Sequence, residues 1–95
     1  MSVLGEKYAV PIITELFDNG GKLKISDFLH LIKNYRTLEN ITKKLESARI
    51  IKITVEEGRY EITYLQLTEI GLEIAPLLKE IIRKLELNDK TEIDN

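Results

Sequence analysis

A chain of 95 residues, 43% hydrophobic and 32% charged, holds one globular domain with a thin core, to which dimerisation would add welcome burial. It has no cysteine, no signal-peptide pattern at its start and no apolar stretch of membrane-spanning length. Disulfides, thiol catalysis, cysteine-ligated zinc and a membrane partner are thereby excluded, and a cytoplasmic protein is expected.

The net charge of −2 conceals a division, because residues 19–60 carry nine Lys/Arg against five Asp/Glu, a local balance of +4, and the remainder sums to −6. A basic middle between acidic ends suits a nucleic-acid reader with acidic dimerisation elements. Scattered solubilising charge is the plainer alternative.

The first periodic segment spans about Glu6 to Phe17. At ~100° per residue, Lys7, Thr14, Glu15 and Asp18 fall on one narrow strip. Tyr8, Ala9, Val10, Ile12, Ile13, Leu16 and Phe17 fill the rest, a wider apolar arc than one thin domain covers. Such a helix is expected to be buried by its own domain on one side and by a partner on the other. Pro11 either opens the helix, where no amide is missed, or kinks it. Asp18-Asn19-Gly20-Gly21 then stops it.

Lys22 to Ile25 alternates and reads as a short strand. Ser26-Asp27 signals a helix start, and Phe28, Leu29, Leu31 and Ile32 give a short second helix. Lys33-Asn34-Tyr35 reads as a turn before a third helix, from Arg36 or Thr37 to about Ala48, with Leu38, Ile41 and Leu45 inward. Ile51, Ile53 and Val55, then Tyr60, Ile62 and Tyr64, alternate with polar residues around Glu57-Gly58, which predicts a two-stranded hairpin continuing to Leu67. Thr68 caps a last helix to about Leu87. A single domain over residues 1–87 is expected, with a polar tail without fixed structure at 88–95.

A short helix, a turn and a second helix followed at once by a hairpin is the order of a winged helix-turn-helix. The expected class is α+β, mostly α, with a two-stranded wing and a long C-terminal dimerisation helix. On the third helix, the face opposite Leu38 carries Arg36, Asn40, Lys43 and Ser47, spaced four, three and four, all hydrogen-bond donors and none acidic. Arg and Lys suit guanine edges or phosphates, and Asn suits adenine. Thr37 and Lys44 flank the stripe within reach of phosphates, and Glu39 flanks it on the other side, where an acid must accept from a cytosine amino group or pair with Lys43.

Arg59 at the hairpin tip is a candidate minor-groove or phosphate contact, weakened by Glu56 and Glu57. Lys22, Lys24, Lys33 and Tyr35 are candidate backbone contacts or plain surface. In the last helix Ile70, Ile74, Leu77, Leu78, Ile81, Ile82 and Leu85 form a continuous apolar stripe, which from Ile81 onward has outrun so small a domain. A two-fold copy is the simplest cover, with Tyr8 and Ile12 of the first helix and Ile74, Leu77, Leu78, Ile81, Ile82 and Leu85 of the last as its contacts. Pro76 predicts a kink or loosened turn near Leu72.

Lys7-Tyr8 with Pro11-Ile12-Ile13 resembles the Lys-Trp…Pro-Ile-Leu opening of HxlR-type regulators. Leu45-Glu46 with Ile50-Ile51 resembles the end of their recognition helix, and Leu67-Thr68-Glu69-Ile70-Gly71 matches the Leu-Thr-x-x-Gly that opens their last helix. On these motifs the chain resembles the MarR and HxlR winged-helix transcriptional regulators over nearly its whole length. The resemblance implies a duplex-DNA-binding homodimer, paired through the first and last helices, with the third in the major groove. Arg49 stands where the family has glycine, the longer basic wing with its proline is missing, and the cysteine through which some HxlR members sense is absent. Small archaeal winged-helix chromatin and viral proteins are similar too, and the Ile- and Lys-rich composition suits an archaeal source.

No enzyme is expected. His30, the single histidine, has no acidic partner in the pattern, Gly20-Gly21 lacks the context of a phosphate loop, and no metal, cofactor or effector residues stand out. The rival reading is a winged helix used as a protein–protein adaptor or architectural chromatin protein, favoured by the acidic balance and weak wing.

Overall fold

The structure is a computed structural model that describes residues 2–93, with the backbone alone for 89–93. A 3-10 turn (Val3–Gly5) leads to α1 (Ala9–Asp18), β1 (Lys22–Lys24), a second 3-10 turn (Ile25–Phe28), α2 (Tyr35–Ser47), β2 (Ile51–Glu56), β3 (Ile62–Leu67) and α3 (Glu69–Ile93). This is the winged helix-turn-helix order.

Pro11 lies third in α1, after Tyr8 in a left-handed conformation and Ala9, and the first helical bond runs from Ile12 N–H to Tyr8 O at 3.1 Å. A proline in that first turn sacrifices no bond, so α1 is not kinked by it. At the other end Gly20 and Gly21 have φ of 83° and 90°, and their amides close on Phe17 O and Leu16 O at 3.4 and 2.7 Å. This is a Schellman ending, in which left-handed glycine satisfies the orphan carbonyls.

The expected second helix is not an α-helix but one short 3-10 turn. Its four-residue 3-10 turn is followed by Leu31 and Ile32 amides that both bond Phe28 O. The Asp27 carboxylate accepts from Lys24 N–H at 3.1 Å, fixing a tight turn that brings Ile25, Phe28 and Ile32 into the core. So short a segment gains too few bonds to propagate a helix, and burial of those side chains carries it instead.

The hairpin joins a three-stranded antiparallel sheet of order β1-β3-β2, with Leu23 and Ile53 flanking Leu65 on the core side. The short strand β1 thus satisfies the second edge of β3. The return strand starts at Ile62, later than Tyr60, which stands in the wing loop 76% exposed. The core gathers Ile12, Ile13 and Leu16 of α1, Leu38, Ile41 and Leu45 of α2, and Ile51, Leu65 and Leu67 of the sheet. Ile12 is fully buried inside the protomer and is a core residue, not a residue of an outer contact face.

The helix α2 also ends in a Schellman motif. Arg49 N–H bonds Glu46 O at 2.9 Å and Ile50 N–H bonds Leu45 O at 3.1 Å, with Arg49 at φ 64° where glycine is the natural occupant. A side chain in that region costs about 1 kcal/mol, partly offset by the extra unfolded-state freedom of glycine. Arg49→Gly is therefore expected to raise the urea midpoint, by about 0.5 kcal/mol of stability, with an unchanged slope.

The last helix runs to Ile93, beyond the Leu87 end expected, and residues 94–95 of the expected tail lie outside the described residues. It continues through Pro76 as one element. Its apolar stripe resolves into two adjoining lines. Gly71 and Ala75 are buried and Ile74, Leu78 and Ile82 half-buried, whereas Leu77, Ile81 and Leu85 are 64%, 54% and 59% exposed. Every side chain from Arg83 to Asn88 is exposed. The molecule measures 57 × 28 × 27 Å with a radius of gyration of 14.9 Å, against about 12 Å for a compact chain of this length.

Candidate nucleic-acid interface

The helix α2 is fixed at its start by Asn34, whose side chain accepts from Thr37 N–H at 3.1 Å. Sequence reasoning placed Asn34 in a turn; an Asn three residues before a helical amide was the available signal. Leu38, Ile41 and Leu45 face inward with Thr42, whose buried hydroxyl donates to Glu39 O at 2.9 Å. That anchoring turns Arg36, Asn40, Lys43 and Ser47 outward. All four are exposed, and among the described residues none of their side chains makes a hydrogen bond or ion pair within the protein. Four unspent donors on one rigid face are a surface that can bind acceptors.

Lys44 differs. Its Nζ lies 2.9 Å from the Glu6 carboxylate, so the residue read as a phosphate contact is already paired with the N-terminal segment. Ser2, Val3, Gly5 and Glu6 face Lys43, Lys44 and Ser47 across a groove of about 480 Å³. The partners are 38 residues apart, which no local pattern reveals. Glu39 is exposed beside the stripe, and the structure gives Lys43 no bond to it.

Tyr35 and Lys33 are exposed at the start of α2. Tyr35 and Tyr60 share a cleft of about 350 Å³ with Lys24 and Ser26, between α2 and the wing loop. Arg59 is exposed at the tip, but Glu56, Glu57 and Glu61 surround it in the chain. Lys22 lies over the Tyr64 ring at 4.6 Å and reaches Glu56 at 4.0 Å. Strand register puts Lys22, Lys24 and Lys52 on the outer face of the sheet; Lys52 was missed by the sequence reading. The wing is tied to α2 by Glu46, whose carboxylate accepts the Ile53 amide of edge strand β2 at 3.1 Å.

His30 does have an acidic partner, against expectation: its Nε2 is 3.2 Å from Glu15 Oε1 on α1, a surface contact. Among the described residues no group of three or more His, Cys, Asp or Glu could hold a metal ion, and no helix is long and apolar enough to cross a membrane. On α3, a hydrogen bond from Arg83, and then its charge, hold the exposed Glu80 carboxyl below its usual range.

A three-helix, three-stranded architecture with an anchored α2, its donor face outward and a hairpin alongside is a winged-helix fold. Solved structures share it. The chain is similar to the transcriptional regulator homologue protein from Pyrococcus horikoshii OT3 at 17% identity, covering 90% of this chain and 86% of that one with a TM-score of 0.76. It is similar to the redox regulator HypR in its reduced form at 21% identity, covering 98% and 92% with a TM-score of 0.83. A protein of Archaeoglobus fulgidus is 26% identical, with 87% and 93% covered and a TM-score of 0.71. No family model matches the sequence, and no curated protein does.

Proposed function

We propose that this protein is a homodimeric, sequence-specific duplex-DNA-binding transcriptional regulator, with α2 in the major groove. The observation that carries the reading is the exposed, acid-free donor stripe of Arg36, Asn40, Lys43 and Ser47 on the recognition helix of a winged-helix fold. The regulators it resembles in fold support the same reading. On this reading Asn40 and Arg36 would read base edges, and Lys43 and Thr37 would meet phosphates. Arg59 adds a wing contact, while Lys44 has first to leave Glu6.

The dimer is supported by Leu77, Ile81 and Leu85, an exposed apolar line on a helix that projects past its own domain. Two copies joined there would present two α2 helices to successive turns of one duplex face. With no cysteine, the chain has no thiol or disulfide step in its regulation.

Titration of a mixed-sequence duplex at rising salt tests the reading. Binding is expected to fall steeply with salt as counterions are released. Lys43→Ala is expected to lower the salt slope by about 1, and Arg36→Ala to cost about 1–3 kcal/mol, with fold and dimer intact. No binding even at low salt would sink the reading. It would favour the adaptor alternative, which the acidic rim of the wing tip at Glu56, Glu57 and Glu61 supports.

A further inference from the structure

The end of α2 and the start of α3 meet at a single carbonyl. Ile50 O accepts Thr68 N–H at 3.0 Å, and the Thr68 hydroxyl lies 2.6 Å from Arg49 O and 3.0 Å from Ile50 O. The same hydroxyl oxygen accepts Gly71 N–H at 3.1 Å, which makes it the cap of α3. Gly71 then lies so close that a Cβ on it would stand 2.3 Å from Ile50 O. The residues on the other side are equally fixed, since the Arg49 and Ile50 amides close the last turn of α2.

We propose that Thr68 is a positioning residue that sets the angle between α2 and α3. One hydroxyl bonds backward to the end of α2 and forward to the first turn of α3, so α3 cannot swing against α2 without breaking the backward bonds while its own cap stays attached to Thr68. A capping threonine alone would need only the forward bond; the backward bond, one hydroxyl proton shared between Arg49 O and Ile50 O, is what welds the helices. From Thr68 to Ile81 the helix extends roughly 20 Å, so a small slack at the joint becomes a large displacement at the proposed dimer contact. The consequence for DNA rests on the reading given above: in a dimer held through α3, this angle fixes the separation of the two α2 helices and hence the half-site spacing.

The absence of cysteine makes the test clean. Nitroxide labels on Glu39→Cys and Lys84→Cys of one full-length chain, diluted into unlabelled protein, report the α2–α3 distance by pulsed electron resonance. Thr68→Val keeps the side-chain shape and loses the hydroxyl, and it is expected to shift and broaden the distance distribution. Thr68→Ser keeps the hydroxyl and is expected to restore the wild-type distribution. Helicity and mass should not change in either. A Thr68→Val distribution that superposes on wild type overturns the proposal. Should Thr68→Val fail to fold, amide exchange of the wild type decides. Thr68 and Gly71 amides exchanging as slowly as Leu65 in the central strand support the joint, and exchange far ahead of Leu65 overturns it. Duplex binding separates the two readings. Weaker binding by Thr68→Val, rescued by Thr68→Ser, supports the link to recognition, and unchanged binding by a loosened Thr68→Val protein overturns that link. If no variant and no wild type bind DNA while the distance result stands, the joint survives and the DNA reading fails.

Discussion

Gly71→Ala is expected to lower the melting temperature by roughly 10 °C or more. A Cβ at residue 71 would stand 2.3 Å from Ile50 O and 3.0 Å from a Leu67 methyl. Of these, the leucine can turn aside. The carbonyl cannot, because it accepts from Thr68 and belongs to the chain segment that closes α2. Relief requires α3 to back away from the domain, which opens the contact of Ala75 with the core and lengthens the cap bond at Gly71. Overfilling a tight contact costs about 1–3 kcal/mol, and a chain of this size has only about 5–15 to lose. Thermal melts followed by circular dichroism would measure it. A melting temperature within a degree or two of wild type would mean that α3 is not held where the structure has it.

The double variant Leu77→Glu with Ile81→Glu is expected to be a folded monomer at micromolar concentration. Both side chains are exposed in the single chain, so the protomer loses little; surface changes of this kind stay within about 0.5 kcal/mol. Across a two-fold contact each copy would bring two carboxylates onto an apolar line. Burying unpaired charge costs several kcal/mol, which raises the dissociation constant by about 100-fold or more. Sedimentation equilibrium reads this directly. A wild-type protein that already sediments as a monomer, or a variant that still dimerises, would remove α3 as the interface. On the functional reading, loss of the dimer also weakens duplex binding, because the two α2 helices then bind independently.

Local signals made much of the molecule legible. The cap and glycine of Leu67 to Gly71, the glycine stop after Asp18 and the alternation of β2 each act over a few residues, so composition and spacing suffice. The donor stripe of α2 was equally legible, because Leu38, Ile41 and Leu45 declare the buried face and geometry gives the opposite one. Three features were not. The segment after β1 carries an N-cap signal and apolar residues, yet it is a 3-10 turn, since Asp27 bonds Lys24 and burial outweighs helix propensity. Lys44 is held by Glu6 and His30 faces Glu15, both through contacts between distant segments. Ile12 reads as part of a wide apolar arc, but only the three-dimensional neighbours of α1 decide that it is wholly internal.

The last helix shows where the division falls. Its threonine cap and an apolar arc too broad for one neighbour follow from the sequence, because periodicity fixes which residues share a side of a helix. Which part of that arc is spent inside the protomer was decided by tertiary structure alone. Gly71, against Ile50 and Leu67, and Ala75 are buried, while Leu77, Ile81 and Leu85 emerge beyond them. The point at which a helix leaves its domain depends on where α1 and the α2–α3 joint hold it, and those contacts join residues far apart in the chain.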